Sequence, residues 1–315
     1  SGILTLGGTI LGTSNRADPF KFPVLQNDEY IYLDRSVQGV QNVERLGLDV
    51  LIAIGGDGTM AASDGMAKKG LNIIGVPKTI DNDLYGTDQT FGFDSAVTTA
   101  VEAIDKVHST AQAHHRVMIV EVMGRYAGWL ALASGVASGG DIILIPEMPY
   151  YIDIICDKIR KRNREGKNFS IIVIGEGAKA EGGDMVVKKM VENSPDKIRL
   201  GGISNQLAAQ IESITKLETR VIILGHLLRG GGPTAFDRIL ASRFGTQAVH
   251  LAYQRKFGNM VALRGNEIKH LPIKDVAGII RKVEMTTPLL QTALSLGACM
   301  GVEHVRVPED REITV

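Results

Sequence analysis

Three short stretches combine residue types and spacings suited to chemistry on phosphates. The first is GGDGT, Gly55 to Thr59, which follows the β-branched run Val50 to Ile54 and precedes the helical pattern Met60 to Lys68. Glycines at a strand-to-helix turn let the backbone approach a phosphate closely, and the helix that follows presents its N-terminal N–H groups and the positive end of its dipole. Gly55, Gly56, Gly58 and Thr59 are therefore candidates for binding a phosphorylated co-substrate, and Asp57 for holding Mg2+ on those phosphates. An ordinary βα turn with a solvated aspartate is the plainer alternative, but two glycines before the aspartate and one after exceed what a turn demands.

The second stretch is PKTIDND, Pro77 to Asp83, after the strand pattern Ile73 to Val76. Asp81, Asn82 and Asp83 stand at the C-terminal end of a neighbouring strand, where open α/β sheets bind ligands. A helix cap and turn would use the same residue types. Carboxylates at successive strand ends nevertheless meet in one crevice, with Asp57 for metal and Asp81 for accepting a hydroxyl proton, a layout suited to phosphoryl transfer. The third is EVMGRYAG, Glu121 to Gly128, after Val117 to Val120, where Arg125 beside Gly124 offers a guanidinium fork for phosphate oxygens. Glu176 in IGEG and the run HLLRGG, His226 to Gly231, follow two further strand patterns. Any one of these side chains alone reads as surface or core; their shared place after strands points to a site.

The elements that must position these groups are legible as alternation. Val50 to Ile54, Ile73 to Val76, Val117 to Val120, Ile142 to Ile145, Ile171 to Ile174 and Val221 to Leu224 read as buried parallel strands. Amphipathic patterns lie between them, at Thr59 to Lys68, Asp94 to His108, Ile152 to Arg164, Ile203 to Ile214, Ala235 to Tyr253 and Pro288 to Leu296. The class is α/β with helices on both sheet faces. The 315 residues suffice for about two domains, and if there are two the chain passes between them more than once. Chains of this class usually open on a strand and helix, whereas Ser1 to Leu4 run straight into Gly7, Gly8 and Thr9, as if an opening βα unit were missing.

Composition narrows the partners. Lys+Arg 35 against Asp+Glu 35 gives a formal net charge of zero, with no long basic run, which argues against nucleic acid. Cys156 and Cys299 lie far apart with no metal-ligand spacing, which suits a reducing, cytoplasmic setting. The longest uncharged stretch, Tyr126 to Gly140, is too short and too rich in Gly, Ala and Ser to span a bilayer, so no membrane is implied. No GxGxxG turn with a following acidic residue supports a hydride-transferring dinucleotide enzyme.

Together these motifs resemble the 6-phosphofructokinase family over nearly the whole chain. GGDGT alone also occurs in NAD kinases and lipid kinases, but those readings leave PKTIDND, His226 and Arg229 without a role. GGDGT with PKTIDND, MGR at Met123 to Arg125, Glu176, GHLLRGG and FDRILASR at Phe236 to Arg243 is specific to phosphofructokinases. The resemblance implies two similar doubly wound, Rossmann-like α/β domains with mainly parallel sheets and the active site in the cleft between them. Residues 1–92 with 228–283 would form the phosphoryl-donor domain and 93–227 with 284–315 the sugar-phosphate domain. The implied reaction transfers a phosphoryl group from Mg·ATP to the 1-hydroxyl of fructose 6-phosphate, in glycolysis.

Carried over by position, Asp57 would bind Mg2+, Asp81 would be the base, and Thr79 and Asp83 would support it. Arg125 would lie near the transferring phosphoryl, with Met123, Gly124 and Glu176 gripping the sugar. His226 and Arg229 would hold the 6-phosphate with Arg116 and Arg220, which in this family reach in from a neighbouring subunit. A homo-oligomer, dimer or tetramer, with shared sites is implied. The family's first Gly-rich phosphate loop has no counterpart before Ser1. Lys78 resembles the pyrophosphate-dependent branch, whereas Gly58 resembles the ATP users, because an Asp there would crowd and repel an α-phosphate. ATP is the expected donor, with pyrophosphate the alternative. His108 stands where regulated bacterial members tend to carry an Arg for the effector phosphate. A paralogue that binds sugar phosphate without catalysis would not need Asp57, Asp81 and Arg125 together.

Overall fold

Runs of Ile and Val form strands because β-branched side chains pack well on a pleated sheet, and a run covered on both faces needs no polar alternation. The computed structural model describes residues 2–14, 18–190 and 198–303. After a 3-10 turn at Gly2–Thr5 comes an antiparallel hairpin of β1 (Phe22–Gln26) and β2 (Glu29–Leu33). Its two loop residues, Asn27 and Asp28, both sit at positive φ, as a two-residue hairpin loop of the mirror-image turn type requires. There follow α1 (Ser36–Arg45), β3 (Leu51–Gly55), α2 (Asp57–Lys68), β4 (Ile73–Pro77) and α3 (Phe93–His114). The middle of the chain supplies β5 (Val117–Val122), α4 (Trp129–Ala137), β6 (Ile142–Leu144), α5 (Ile152–Arg164) and β7 (Ser170–Gly175). A second small pair, β8 (Val187–Met190) and β9 (Ile198–Leu200), precedes α6 (Ile203–Thr215), β10 (Thr219–Ile223) and a 3-10 turn at Gly225–Arg229. The chain then runs through α7 (Ala235–Tyr253), β11 (Asn259–Arg264), β12 (Glu267–Pro272) and α8 (Pro288–Ser295).

The chain divides into two compact units. The first comprises Ser1–Ser95, Lys189–Arg199 and Gly230–Arg281, and the second Ala96–Lys188, Leu200–Arg229 and Lys282–Val315. Each holds a Rossmann-like, mainly parallel sheet with helices on both faces. In the first unit the strand order is β12-β11-β4-β3, parallel except for the β11–β12 hairpin. Alternation along β4 divides the core. Ile74 and Val76 pack with Leu240, Phe244, Ala248 and Leu251 of α7, while Ile73 faces Met60 of α2 and, beyond it, Val40 and Val43 of α1.

In the second unit the order is β10-β5-β7-β6, all parallel. Val117, Ile119, Ile172 and Ile174 pack with Ile155, Cys156 and Ile159 of α5 and with Ile203, Leu207 and Ile211 of α6. Helix α4 covers the opposite face, against β6 and β7. Among the described residues no helix is long and apolar enough to cross a membrane.

Candidate active site

In the first unit, β3 ends at Gly55 and α2 begins at Asp57, with Gly56 as an extended N-cap. Gly55 admits no side chain, because a Cβ there would lie 2.1 Å from the Thr59 hydroxyl oxygen. Around Gly58 that space is open, so packing does not dictate glycine at this position. The N-terminal N–H groups of α2 favour negative charge, and Asp57 in the first turn supplies one carboxylate there. Its Oδ1 accepts a hydrogen bond from the Gly278 amide at 3.1 Å.

The neighbouring strand β4 is buried along its whole length and delivers the exposed Lys78, whose amide donates to Gly55 O at 2.9 Å. The loop beyond is held by its own side chains. The Asp81 amide donates to Thr79 Oγ1 at 3.2 Å, the turn that short hydroxyl residues favour, and the Thr90 hydroxyl donates to Thr79 O at 2.7 Å. Asn82 is buried at φ +52°, a left-handed conformation Asn tolerates, and its Oδ1 accepts from the Thr90 amide at 3.0 Å. Asp83 reports the electrostatics. Its carboxyl is pushed up to about 7, first by burial and then by the negative charges of Asp81 and Asp57, with Arg281 opposing. Two carboxylates, from the ends of two strands, thus act on a third.

In the second unit, β5 extends through Val122, so Glu121 is a buried strand residue rather than the start of a loop. Its carboxylate accepts from the amide of Ser204 at 3.2 Å and from the Ser204 hydroxyl, tying the end of β5 to the first turn of α6. The Met123–Arg125 turn is built on two glycines that tolerate no substitution. Gly124 has φ +134°, and a Cβ on Gly177 would lie 1.9 Å from Arg125 O. Gly177 donates to Gly124 O at 3.1 Å and Glu176 to Val122 O at 2.9 Å. Met123, Gly124, Arg125 and Glu176 are therefore neighbours by backbone construction. The Arg125 guanidinium lies 5.6 Å from the Tyr126 ring centre. His226 and Arg229 are exposed on the 3-10 turn after β10, which is joined to β5 by the Leu224 amide donating to Glu121 O at 3.0 Å.

Arg116 and Arg220 lie elsewhere. Arg116 immediately precedes β5, and Arg220 pairs with Met118 near the start of that strand. Six residues of strand, ~20 Å at about 3.3 Å per residue, separate this N-terminal end of the strands from Met123 and His226. One carboxylate bridges the two arginines: Glu218 Oε2 lies 2.9 Å from Arg116 Nε, and its other oxygen pairs with Arg220. The guanidinium of Arg116, and behind it the charges of Arg220 and His114, holds the Glu218 carboxyl below its usual range.

Two residues that tie loops together escaped the sequence reading. Glu147, just beyond β6, accepts from the amides of Gly128 at 3.0 Å and Val283 at 2.8 Å. It occupies a strand end like the others, and the same rule would have found it. Arg281 lies in no such position and carries no sequence signal.

Phosphate-suited loops at the strand ends of two Rossmann-like units place the chain among α/β proteins that handle phosphorylated substrates. Comparison with known proteins specifies which. Residues 1–252 match the family model described as Phosphofructokinase. The chain is 49% identical over 299 residues to ATP-dependent 6-phosphofructokinase 2 of Clostridium perfringens, covering 94% of this chain and 82% of that protein. It is 47% identical over 300 residues to ATP-dependent 6-phosphofructokinase of Spirochaeta thermophila, covering 95% and 82%. Among solved structures it is similar to Pichia pastoris phosphofructokinase in the T-state, with TM-score 0.73 and 32% identity over 94% of this chain but 32% of that one. The chain belongs to the phosphofructokinase family.

Proposed function

We propose that the protein is an ATP-dependent 6-phosphofructokinase, transferring a phosphoryl group from ATP to the 1-hydroxyl of fructose 6-phosphate and giving fructose 1,6-bisphosphate, a step of glycolysis in the cytoplasm. The placement of Asp57 directly after β3 and of Asp81 and Asp83 in the loop directly after the adjacent β4 carries this reading, because phosphoryl transfer needs one carboxylate for metal and another for the hydroxyl proton. The donor belongs to the domain of residues 1–92 with 228–283, where Gly55, Gly56, Gly58 and Thr59 leave room for phosphates and Lys78 adds positive charge. The sugar belongs to the domain of residues 93–227 with 284–315.

Asp81 accepts the proton of the 1-hydroxyl, and Thr79, whose hydroxyl oxygen takes the Asp81 amide, fixes the turn that presents it. Arg125 offsets charge on the transferring phosphoryl group. Met123, Gly124 and Glu176 hold the sugar, and His226 and Arg229 hold its 6-phosphate. Asp57 would hold Mg2+; this ion commonly binds through one or two carboxylates plus substrate phosphates, and among the described residues no cluster of three ligating side chains occurs. When bound, Mg2+ neutralises charge on the donor's phosphates.

Arg116 and Arg220 complete the phosphate site from a second copy of the chain, which makes the active form a homo-oligomer. Their place at the N-terminal ends of the strands, opposite the C-terminal ends where His226 lies, supports this. Pyrophosphate as donor is the second reading, favoured by Lys78 alone. A coupled assay giving kcat/KM with ATP and with pyrophosphate tests the donor: preference for ATP is expected, and preference for pyrophosphate overturns that assignment.

A further inference from the structure

A general base must be held in place to a fraction of an ångström, yet the loop that carries Asp81 and Asp83, between β4 and α3, has no helix or strand of its own. On its near side Thr79, Asn82 and Thr90 bind one another. Its far side is fastened by a segment remote in sequence. Leu84 forms an antiparallel bridge with Ile280, and the Arg281 amide donates to Asp83 O at 2.7 Å. The Arg281 side chain then reaches along the loop, and its Nη1 donates to Thr87 O at 2.9 Å and Asp88 O at 2.6 Å.

We propose that Arg281 is a positioning residue for phosphoryl transfer, holding the Asp81–Asp83 turn at reacting distance by fastening the backbone directly beyond it. The inference rests on the reading of Asp81 as the base. A planar guanidinium suits this task, because one arm can span two successive carbonyl groups, whereas a lysine offers a single flexible charge. The side chain is half-buried, with Asp88 and Asp83 as its nearby negative charges and Arg264 as its nearby positive one. Carbonyl groups, not a single ion pair, receive its Nη1. Arg264 makes a useful contrast: it is half-exposed and meets Asp88 at 3.5 Å without touching the carbonyl groups of the loop.

The experiment measures kcat and KM for both substrates in Arg281→Met, which keeps an unbranched stem, Arg281→Lys, which keeps the charge, and Arg264→Met, with Asp81→Asn as reference. Misplacing a reacting group by about 1 Å can cost ~100-fold, so Arg281→Met is expected to lower kcat by roughly 30-fold to 100-fold. KM for fructose 6-phosphate should move less than about threefold, because the sugar-binding groups lie on other loops. Arg281→Lys should recover part of kcat, and Arg264→Met should match wild type. Wild-type kcat in a folded Arg281→Met or full recovery in Arg281→Lys overturns the proposal, as does a KM rise matching the kcat loss. If Arg281→Met does not fold, Arg281→Lys alone decides between partial and full kcat. If neither folds, the guanidinium serves the fold and the proposal falls. If Asp81→Asn itself keeps turnover, the base assignment fails, and that result is distinct from failure of Arg281 alone.

Discussion

The two units arrange their charged groups in opposite ways. In the first, Asp57, Asp81 and Asp83 gather at the C-terminal ends of adjacent strands, partly buried and close enough for two of them to raise the third. In the second, the groups split between the two ends of the strands of one sheet. Glu176 and the Met123–Arg125 turn lie at the C-terminal ends with His226, and Arg116 and Arg220 at the N-terminal ends, quenched by Glu218. The strand-end rule therefore accounts for the whole acidic half on one chain and only part of the basic half. A proton acceptor needs burial and fixed geometry. On the proposed reading the phosphate clamp is assembled from two copies, by a half-buried Arg116 and an exposed Arg220.

The largest expected effect breaks the acidic half. Asp81→Asn keeps the size of the side chain and removes the carboxylate proposed as proton acceptor, so kcat should fall by ~10² to 10⁴ while KM for fructose 6-phosphate changes little. A fall of less than about tenfold would mean that Asp81 is not the base.

Next come the arginines of the far strand ends. Arg116→Ala and Arg220→Ala should each raise KM for fructose 6-phosphate by about tenfold or more, with kcat nearly unchanged, since a charge-assisted hydrogen bond is worth roughly 1.5–3 kcal/mol. Glu218 must release part of its hold when the phosphate binds, which places the effect near the lower end. Mixing Arg116→Ala with Asp81→Asn should restore activity in hybrid oligomers; no recovery despite proven subunit exchange would count against a shared site.

Gly58→Asp sharpens the donor assignment, and its cleanliness comes from the structure. A Cβ at Gly58 meets no atom of another part of the protein within 4 Å, so the fold should tolerate the change. A like charge set beside a phosphate is costly, and kcat/KM for ATP should drop by roughly tenfold or more, with pyrophosphate use, if any, less affected. Equal losses for both donors would remove Gly58 as the discriminator.

Much of this was legible because the signals were local. Helices α5 and α7 keep the bounds their periodicity implies, Ile152 to Arg164 and Ala235 to Tyr253. The glycine turns at Gly55 and Gly124 mark positions where a Cβ or an ordinary φ is excluded. Helix α4 was missed because Leu130, Ala131, Leu132, Ser134 and Gly135 are all buried, and a helix covered on most sides shows no amphipathic period. The β11–β12 hairpin was missed because β12 is mostly exposed and carries Lys269 and His270. Arg281 was invisible for another reason: its partners are carbonyl groups, and a backbone acceptor leaves no trace in residue type.

The smallest effect concerns stability rather than turnover. Glu147 accepts from the amides of Gly128 and Val283, which holds the start of α4 against the returning chain, yet burial raises its carboxyl above the usual 4.5 despite those bonds. A carboxyl that holds its proton more tightly when folded contributes most below its unfolded value. That contribution declines as pH rises from about 4.5 through the raised folded value, because the native state binds more protons across this window. Glu147→Gln has no proton to lose and keeps one acceptor oxygen. The mutant should therefore be less stable at the acid end by about 1 kcal/mol, the size of one hydrogen bond, and the gap in Tm should narrow as pH rises. Thermal melts of both proteins across this range measure the gap directly. A gap that widened with pH would mean that the amide donors outweigh burial, and that the ionised carboxylate is the form the fold prefers.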